Sequence, residues 1–179
     1  MRLTLPLGLA MPSRRFLLIV TATFVIASAG LYAFHKSDYR LGFDVQRFTG
    51  EPVCLSYFAF LIHYGKTAPR VGDFVVAAMP DTGLPIGGRP GASIVKKVMG
   101  VPGDHIRIEG TELYINGLPV DRLWLAKSIP GKKVGDFDTS ITLGPDQYFL
   151  MGTTKESFDS RYWGPVSGVS IRGSARPLL

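Results

Sequence analysis

Cysteine and histidine are scarce in this 179-residue chain, which contains one cysteine, Cys54, and three histidines. A single cysteine excludes an intramolecular disulfide and any metal site built from several cysteines. The spacing of His35, His63 and His105 matches no metal-binding signature, so we expect neither a metal nor another cofactor. An unpaired thiol is a liability in an oxidising compartment, and we therefore expect Cys54 to be buried, functional or both.

Acidic residues are absent from residues 1–34, which contain three arginines. The formal net charge of the chain is +6, and half of it comes from these three side chains. The remaining residues form no basic stripe with interleaved aromatics, which is the usual pattern of a nucleic-acid-binding surface. A high isoelectric point alone is weak support for such a surface, so we expect no nucleic-acid partner.

Charged side chains are also missing from residues 16–34, FLLIVTATFVIASAGLYAF, a run long enough to cross a membrane as a helix. The preceding arm, residues 1–15, is purely basic, which predicts a cytoplasmic N-terminus. We therefore expect a single-pass transmembrane signal anchor at 16–34, in contact with the lipid of the inner (cytoplasmic) membrane. Residues 40–179 are then expected to form a periplasmic or otherwise extracytoplasmic domain.

A cleaved secretory signal peptide is the alternative, because ASAG at residues 27–30 fits a small-residue cleavage site after Ala29. The apolar run is long for a signal peptide, and Tyr32 and Phe34 suit the aromatic belt of a membrane interface. Both features favour the uncleaved anchor, and both interpretations place residues 40–179 outside the cytoplasm.

The remainder of the chain has the pattern of a β protein. Short apolar or alternating runs are separated by glycine-rich and proline-rich turns, and Asn116-Gly117 is a strong hairpin signal. We expect a mainly β, mostly antiparallel and barrel-like domain. Residues 118–145 show no clean period and are expected to form an insertion or loop. The predicted strands lie within residues 72–79, 93–101, 105–110, 112–117, 147–152 and 169–178.

Two adjacent lysines, Lys96 and Lys97, interrupt one of these apolar runs. Adjacent residues of a strand point to opposite faces, so one of the two lysines must face the core. Burial disfavours the charged form of a lysine, and a neutral amine in a dry cleft can act as a general base. The alternative is structural, with one lysine in solvent and the other in a salt bridge.

A second polar group occurs in SFDSRYWGPV, residues 157–166. Its short polar side chains could orient a lysine amine and supply supporting hydrogen bonds. The segment could equally be a structural loop with an internal Asp–Arg pair. The residues concerned are Ser157, Asp159, Ser160 and Arg161, next to Tyr162 and Trp163.

Taken in order, three segments resemble the type I signal peptidase family (peptidase S26) of serine-lysine proteases. They are GDFVV at 72–76, KKVMGVPGD at 96–104 and SFDSRYWGPV at 157–166. The resemblance implies an endopeptidase at the membrane surface that releases exported preproteins from their leader peptides. The short chain resembles most the conjugal-transfer branch, the TraF-type peptidases that mature pilin or other secretion-channel components.

The resemblance also implies roles for individual residues. Lys96 takes the place of the general base, because it lies four residues before Gly100 of the lysine motif. Ser157 and Asp159 take the places of residues that support the lysine, and Arg161 that of an arginine paired within the last motif. Residues 152–157, GTTKES, depart from the Gly-Asp-Asn-Arg that the family often has there.

The nucleophile is left open between Cys54 and Ser56. The branch pattern Ser-Leu-Pro-x-Gly-x-Tyr aligns Cys54 with the serine, whereas Ser56 keeps the family's hydroxyl but loses the register. A thiol gives up its proton more easily than an alcohol, so cysteine is chemically feasible. Pro52 cannot donate a hydrogen bond to an oxyanion. The rival hypothesis is an inactive, membrane-anchored module that binds a pilin or secretion-channel subunit.

Overall fold

The computed structural model describes residues 13–50 and 52–179, in two compact units, Met1–Ser37 and Asp38–Leu179. Most of the arm predicted to be cytoplasmic, residues 1–12, lies outside the described residues.

The described part of the first unit, from residue 13 onward, contains one helix, α1 (Arg14–Lys36), which covers the predicted apolar run. It begins at Ser13, whose side chain accepts a hydrogen bond from the Phe16 amide at 3.2 Å and satisfies an otherwise unpaired first-turn donor. Its mean hydropathy reaches 2.1, and at 1.5 Å per residue it is about 34 Å long. By length and composition this helix could cross a membrane.

The second unit is built from two antiparallel sheets. The larger has the strand order β1-β2-β11-β3-β4-β9-β10 and the smaller the order β7-β6-β5-β8. Two short helices, α2 (Gln46–Thr49) and α3 (Ser160–Trp163), accompany them. The strands are β1 (Tyr39–Phe43), β2 (Ala59–Tyr64), β3 (Phe74–Ala78), β4 (Ser93–Gly100), β5 (His105–Glu109), β6 (Glu112–Ile115), β7 (Leu118–Arg122), β8 (Thr139–Thr142), β9 (Gln147–Met151), β10 (Val166–Ser167) and β11 (Ile171–Pro177).

The mainly β, antiparallel prediction is confirmed, but the barrel is not closed. Strands β1 and β10 end the larger sheet on opposite sides, and within the described residues they do not pair with each other. Because β10 has only two residues, it offers a short edge that cannot close a barrel.

The six predicted strand segments contain β3, β4, β5, β6, β9 and β11. The predicted turn is also present, since Asn116 (φ 53°) and Gly117 (φ 80°) both adopt left-handed backbone conformations between β6 and β7. The prediction of an unstructured insertion at 118–145 is wrong in part, because β7 and β8 lie within it. Both are edge strands, and β7 contains Pro119 and a bulge at Val120, which together hide its alternating pattern.

Strand β4 lies in the middle of the larger sheet, between β3 and β9. In this register Lys96 is opposite Val75 and Lys97 is opposite Phe74. Val75 and Val98 are fully buried in one apolar cluster. The amine of Lys96 therefore starts from a strand position surrounded by buried aliphatic side chains.

Candidate active site

Lys96 is the lysine that faces the interior. Its side chain is 2 % exposed, and its Nζ donates a hydrogen bond to Ser157 Oγ at 2.8 Å. The ring of Trp163 lies 5.9 Å from the same Nζ, measured to the ring centroid. Lys97 points to the other face of β4 and is only half-buried. Strand alternation therefore separates the two lysines as the period of two requires.

The partner of the buried amine is a hydroxyl. The ion pairs among the described residues are Arg107–Glu109, Arg122–Glu112, Arg161–Asp121 and Arg161–Asp159, and none of them includes Lys96. A buried lysine normally has a carboxylate partner. Among the described residues, the partners of this amine are a hydroxyl and an aromatic ring, so gaining or losing a proton there breaks no ion pair.

The loop after β9, residues 152–157, brings the Cys54 main chain next to this pair. A Cβ on Gly152 would overlap both Ser157 Oγ and the carbonyl oxygen of Cys54. These two oxygens therefore lie against the same face of one glycine, which has no side chain to separate them. Since Ser157 Oγ also accepts from Lys96 Nζ, Ser157 links the predicted base to the glycine against which the Cys54 carbonyl lies.

Thr153 and Thr154 hold the segment around Cys54. The Thr153 amide donates to the Cys54 carbonyl oxygen at 2.9 Å, and Thr154 Oγ1 donates to the carbonyl oxygen of Val53. The Ser56 amide donates to Thr153 Oγ1 at 2.7 Å, and Thr153 Oγ1 donates to Ser56 Oγ at 3.1 Å. Sequence reasoning missed both threonines, although it had found that this loop departs from the family pattern.

The two candidate nucleophiles differ in their surroundings. Cys54 is a free, half-buried cysteine that packs against the apolar cluster containing Leu55, Phe60 and Val76. Ser56 is exposed, and both its amide and its hydroxyl bind Thr153.

Asp159 and Arg161 form a buried ion pair below the loop. Asp159 Oδ1 accepts from Arg161 Nε at 2.8 Å and Oδ2 accepts from an Arg161 terminal nitrogen at 2.7 Å, with side chains 0 % and 1 % exposed. Oδ2 also accepts from the Gly152 amide at 2.8 Å. Within the described residues no hydrogen bond joins Asp159 to Lys96. Asp159 binds the Gly152 amide, and Gly152 lies against Ser157, which binds the lysine.

Arg161 also connects the site to the smaller sheet. Its guanidinium donates to Asp121 Oδ2 at 2.8 Å, to the Arg122 carbonyl at 3.0 Å and to the Ser157 carbonyl at 3.3 Å. Burial opposes its charge, but the hydrogen bonds and negative charge of Asp159, with the charge of Asp121, raise the pKa of Arg161 above its ordinary value. Arg161 therefore stays cationic and keeps both carboxylates paired.

Known proteins are similar to this chain over the same region. Residues 51–179 match the sequence profile of the family described as signal peptidase, peptidase S26. The conjugal transfer protein TraF of Agrobacterium tumefaciens is 29 % identical, over 94 % of this chain and 98 % of that protein. Probable signal peptidase I-2 of Synechocystis sp. is 31 % identical over 46 % of this chain, and signal peptidase I V of Bacillus subtilis is 36 % identical over 45 %.

The matched stretches span 36 % of the Synechocystis protein and 54 % of the Bacillus protein, so this chain corresponds to only part of each. Among solved structures, a signal peptidase I from Enterococcus faecalis aligns over 62 % of this chain and 98 % of that one. Its TM-score is 0.40 and its sequence identity is 24 %.

Proposed function

Because the chain belongs to the signal peptidase family, peptidase S26, a family of hydrolases, we propose that it is a membrane-anchored endopeptidase that cleaves leader peptides from exported proteins. Cys54 is the nucleophile and Lys96 the general base in this proposal. The observation that carries it is the buried Lys96 amine bound to Ser157, whose Oγ lies beside the Cys54 carbonyl oxygen against the same face of Gly152.

The reaction is an acyl transfer to Cys54 followed by hydrolysis. The neutral Lys96 amine takes the thiol proton as the sulfur bonds to the scissile carbonyl carbon. Lys96 then returns that proton to the leaving amine as the C–N bond breaks, which leaves a thioester on Cys54. Lys96 next takes a proton from water, whose oxygen attacks the thioester carbonyl carbon. As the C–S bond breaks, Lys96 returns this proton to the sulfur, and the carboxyl product and the thiol are released. Ser157 Oγ, 2.8 Å from Nζ, holds the amine in place throughout.

Two observations support Cys54 over Ser56. The amide and the hydroxyl of Ser56 both bind Thr153, so its side chain is already engaged in holding the loop. The Cys54 carbonyl, in contrast, lies against Gly152 beside the lysine's own partner. A thiol is also the easier of the two groups for an amine to deprotonate.

Helix α1 is the membrane anchor in this proposal. The helix is uncleaved, the basic arm lies in the cytoplasm, and the β unit works outside the inner membrane. Arg14 and Arg15 precede the apolar run, whereas no acidic residue occurs in residues 1–34. Exported preproteins meet the peptidase as they emerge from the same membrane.

The substrates we propose are prepilins or other components of a conjugal-transfer channel. TraF of Agrobacterium tumefaciens aligns with 94 % of this chain, so the similarity includes most of the N-terminal region as well as the β unit. Agrobacterium fabrum TraF is similar over 49 % of this chain at 31 % identity. The signal peptidases of Synechocystis sp. and Leptolyngbya laminosa align with 46 % and 64 % of this chain.

Cleavage by the full chain in detergent micelles tests the proposal. A prepilin and a general secretory preprotein, both with small residues before the cleavage site, serve as substrates. We expect faster release of mature prepilin, with Lys96→Met and Cys54→Ala inactive and Ser56→Ala active. Lys97→Met is the matched control, because this lysine lies on the other face of the same strand and should be dispensable.

Specific outcomes would contradict each part. Cleavage by Lys96→Met at the wild-type rate would exclude the lysine as base, and activity in Cys54→Ala with its loss in Ser56→Ala would reverse the nucleophile assignment. A wild-type chain that binds the leader but never cuts it would indicate the binding module instead. Faster cleavage of the secretory preprotein would contradict the transfer-channel substrate alone.

A further inference from the structure

The segment that carries Cys54 has no regular secondary structure. Residues 52–58 lie between α2, which ends at Thr49, and β2, which begins at Ala59. An irregular segment has no ladder of main-chain hydrogen bonds to fix it, yet a nucleophile must be held within a fraction of an ångström of its productive position. Other groups must therefore fix this part of the main chain.

Two consecutive residues hold it on both sides of Cys54. Thr154 Oγ1 binds the carbonyl oxygen of Val53, immediately before Cys54. Thr153 binds the Cys54 carbonyl through its amide at 2.9 Å and the Ser56 amide through its hydroxyl at 2.7 Å. Three hydrogen bonds thus reach three of the four residues from Val53 to Ser56.

The Thr153 hydroxyl is used as both acceptor and donor. It accepts from the Ser56 amide and donates to Ser56 Oγ at 3.1 Å, which fixes its rotamer and that of Ser56 together. Valine has nearly the same shape as threonine but would leave the Ser56 amide without this acceptor. Serine would keep both hydrogen bonds and lose only a methyl group.

The same loop reaches the base. Ser157, four residues after Thr153, binds Lys96 Nζ, and the loop begins at Gly152, whose amide binds buried Asp159. From outside, Lys155 Nζ lies 4.4 Å from the centroid of the Trp124 ring. The loop is therefore held at its two ends by Asp159 and Lys96 and in its middle by Trp124. It connects the base to the segment that carries Cys54 through a fixed main chain.

We propose that Thr153 and Thr154 are positioning residues that place the Cys54 thiol for attack, and that Ser56 belongs to this clamp rather than to the chemistry. The inference rests on the proposed function, because it takes Cys54 as nucleophile and Lys96 as base. It assigns the threonine hydroxyls the task of keeping the distance between thiol and amine constant.

Steady-state cleavage of the leader-bearing substrate by the full chain in micelles tests the clamp. A misplacement of about 1 Å costs roughly 100-fold in rate, so Thr153→Val should lower kcat by about 10- to 100-fold and leave KM unchanged. Thr153→Ser should restore kcat to near the wild-type value. Thr154→Val should also lower kcat, by a smaller factor than Thr153→Val. Thr154→Ser should keep kcat near the wild-type value. Thr142→Val, an exposed threonine of β8, is the control.

A readout independent of peptide cleavage is the rate at which iodoacetamide alkylates Cys54 at neutral pH. If the clamp places the thiol against the amine, Thr153→Val should slow alkylation toward the rate of Lys96→Met, and Thr153→Ser should not. Wild-type kcat and alkylation in Thr153→Val would overturn the inference, as would equal losses in the valine and serine variants. If Lys96→Met also cleaves normally, the proposed function itself is wrong, so the two failures are distinguishable.

Discussion

Lys96 and Arg161 are both buried basic residues, but replacing each by methionine should change the stability of the protein to very different extents. Lys96 has a hydroxyl partner at 2.8 Å and a ring at 5.9 Å. Arg161 has two carboxylate partners at 2.7 and 2.8 Å. We therefore compare the free energies of unfolding of Lys96→Met and Arg161→Met, in which an unbranched apolar side chain replaces each basic one. The comparison tests whether Lys96 contributes to stability or only to chemistry.

For Lys96→Met the opposing contributions nearly cancel. The ammonium form loses several kcal/mol of hydration on burial. Its hydrogen bond to Ser157 returns about 1.5–3 kcal/mol and its ring contact up to about 2 kcal/mol. Methionine removes all three contributions and buries an apolar side chain in the same space. We expect the free energy of unfolding to stay within about 1 kcal/mol of wild type, or to rise.

For Arg161→Met the balance differs because a carboxylate is left behind. Asp159 is 0 % exposed, and it would lose two of its hydrogen bonds together with the opposite charge. Breaking a buried ion pair by removing one partner costs about 3–5 kcal/mol. Asp121 would lose a partner as well, but it is one-third exposed and can turn to water.

Urea unfolding of the full chain in micelles, followed by the fluorescence of Trp124 and Trp163, measures both values. We expect Arg161→Met to unfold at clearly lower urea and Lys96→Met to match the wild type while losing cleavage. A loss above about 3 kcal/mol in Lys96→Met would mean that the lysine is structural, against the balance derived above. A decrease in the free energy of unfolding of less than about 1 kcal/mol in Arg161→Met would show that leaving Asp159 buried without its arginine costs little, against the estimate above.

Three further predictions concern the same region. Cys54→Ser should cleave more slowly than wild type but faster than Cys54→Ala and should resist iodoacetamide, as a peptide-release assay would record; activity equal to Cys54→Ala would show that only a thiol can act here. Gly152→Ala should destabilise the protein by about 1–3 kcal/mol and abolish cleavage, because its Cβ would meet Ser157 Oγ and the Cys54 carbonyl oxygen. In Gly88→Ala the new Cβ projects into open space, so neither urea unfolding nor cleavage should change. Burial raises the pKa of Tyr162 above its ordinary 10.0, against the hydrogen bond from the Leu125 amide. The unfolded phenol therefore ionises first, and stability should fall as the pH rises above about 10. Because phenylalanine cannot ionise, the stability advantage of wild type over Tyr162→Phe should shrink over that range, and a constant difference would contradict it.

The central strands and the lysine's direction could be predicted from the sequence because they depend on local periods. Strand β4 alternates over eight residues, so the opposite directions of Lys96 and Lys97 follow from chain geometry. Which of the two faces inward does not follow from the period alone, and the resemblance of 96–104 to the lysine motif supplied it. Asn116-Gly117 is equally local, since both residues tolerate the left-handed backbone of a tight turn.

Other parts could not be predicted because their contacts join distant or edge segments. Strands β7 and β8 lie at the edges of the smaller sheet, where one side of each strand is unpaired and the apolar pattern is weak. Thr153 and Ser56 are 97 residues apart in the chain, and neither lies in a strand. No period marks a contact between two irregular segments, so the clamp became visible only in three dimensions.

The choice between Cys54 and Ser56 shows how such contacts change a chemical assignment. By residue type alone, Ser56 carries the hydroxyl that the family uses, and Cys54 resembles a buried apolar residue. In the structure the hydroxyl of Ser56 is bound to Thr153, whereas the Cys54 main chain lies against Gly152 and, through it, Ser157. The proposed assignment to Cys54 therefore rests on its main chain, which Thr153 binds beside Gly152, and on a Ser56 hydroxyl that Thr153 already binds. In the proposed assignment, cysteine replaces serine at position 54 and threonines replace Asp-Asn at 153–154, where their hydroxyls bind the segment around Cys54.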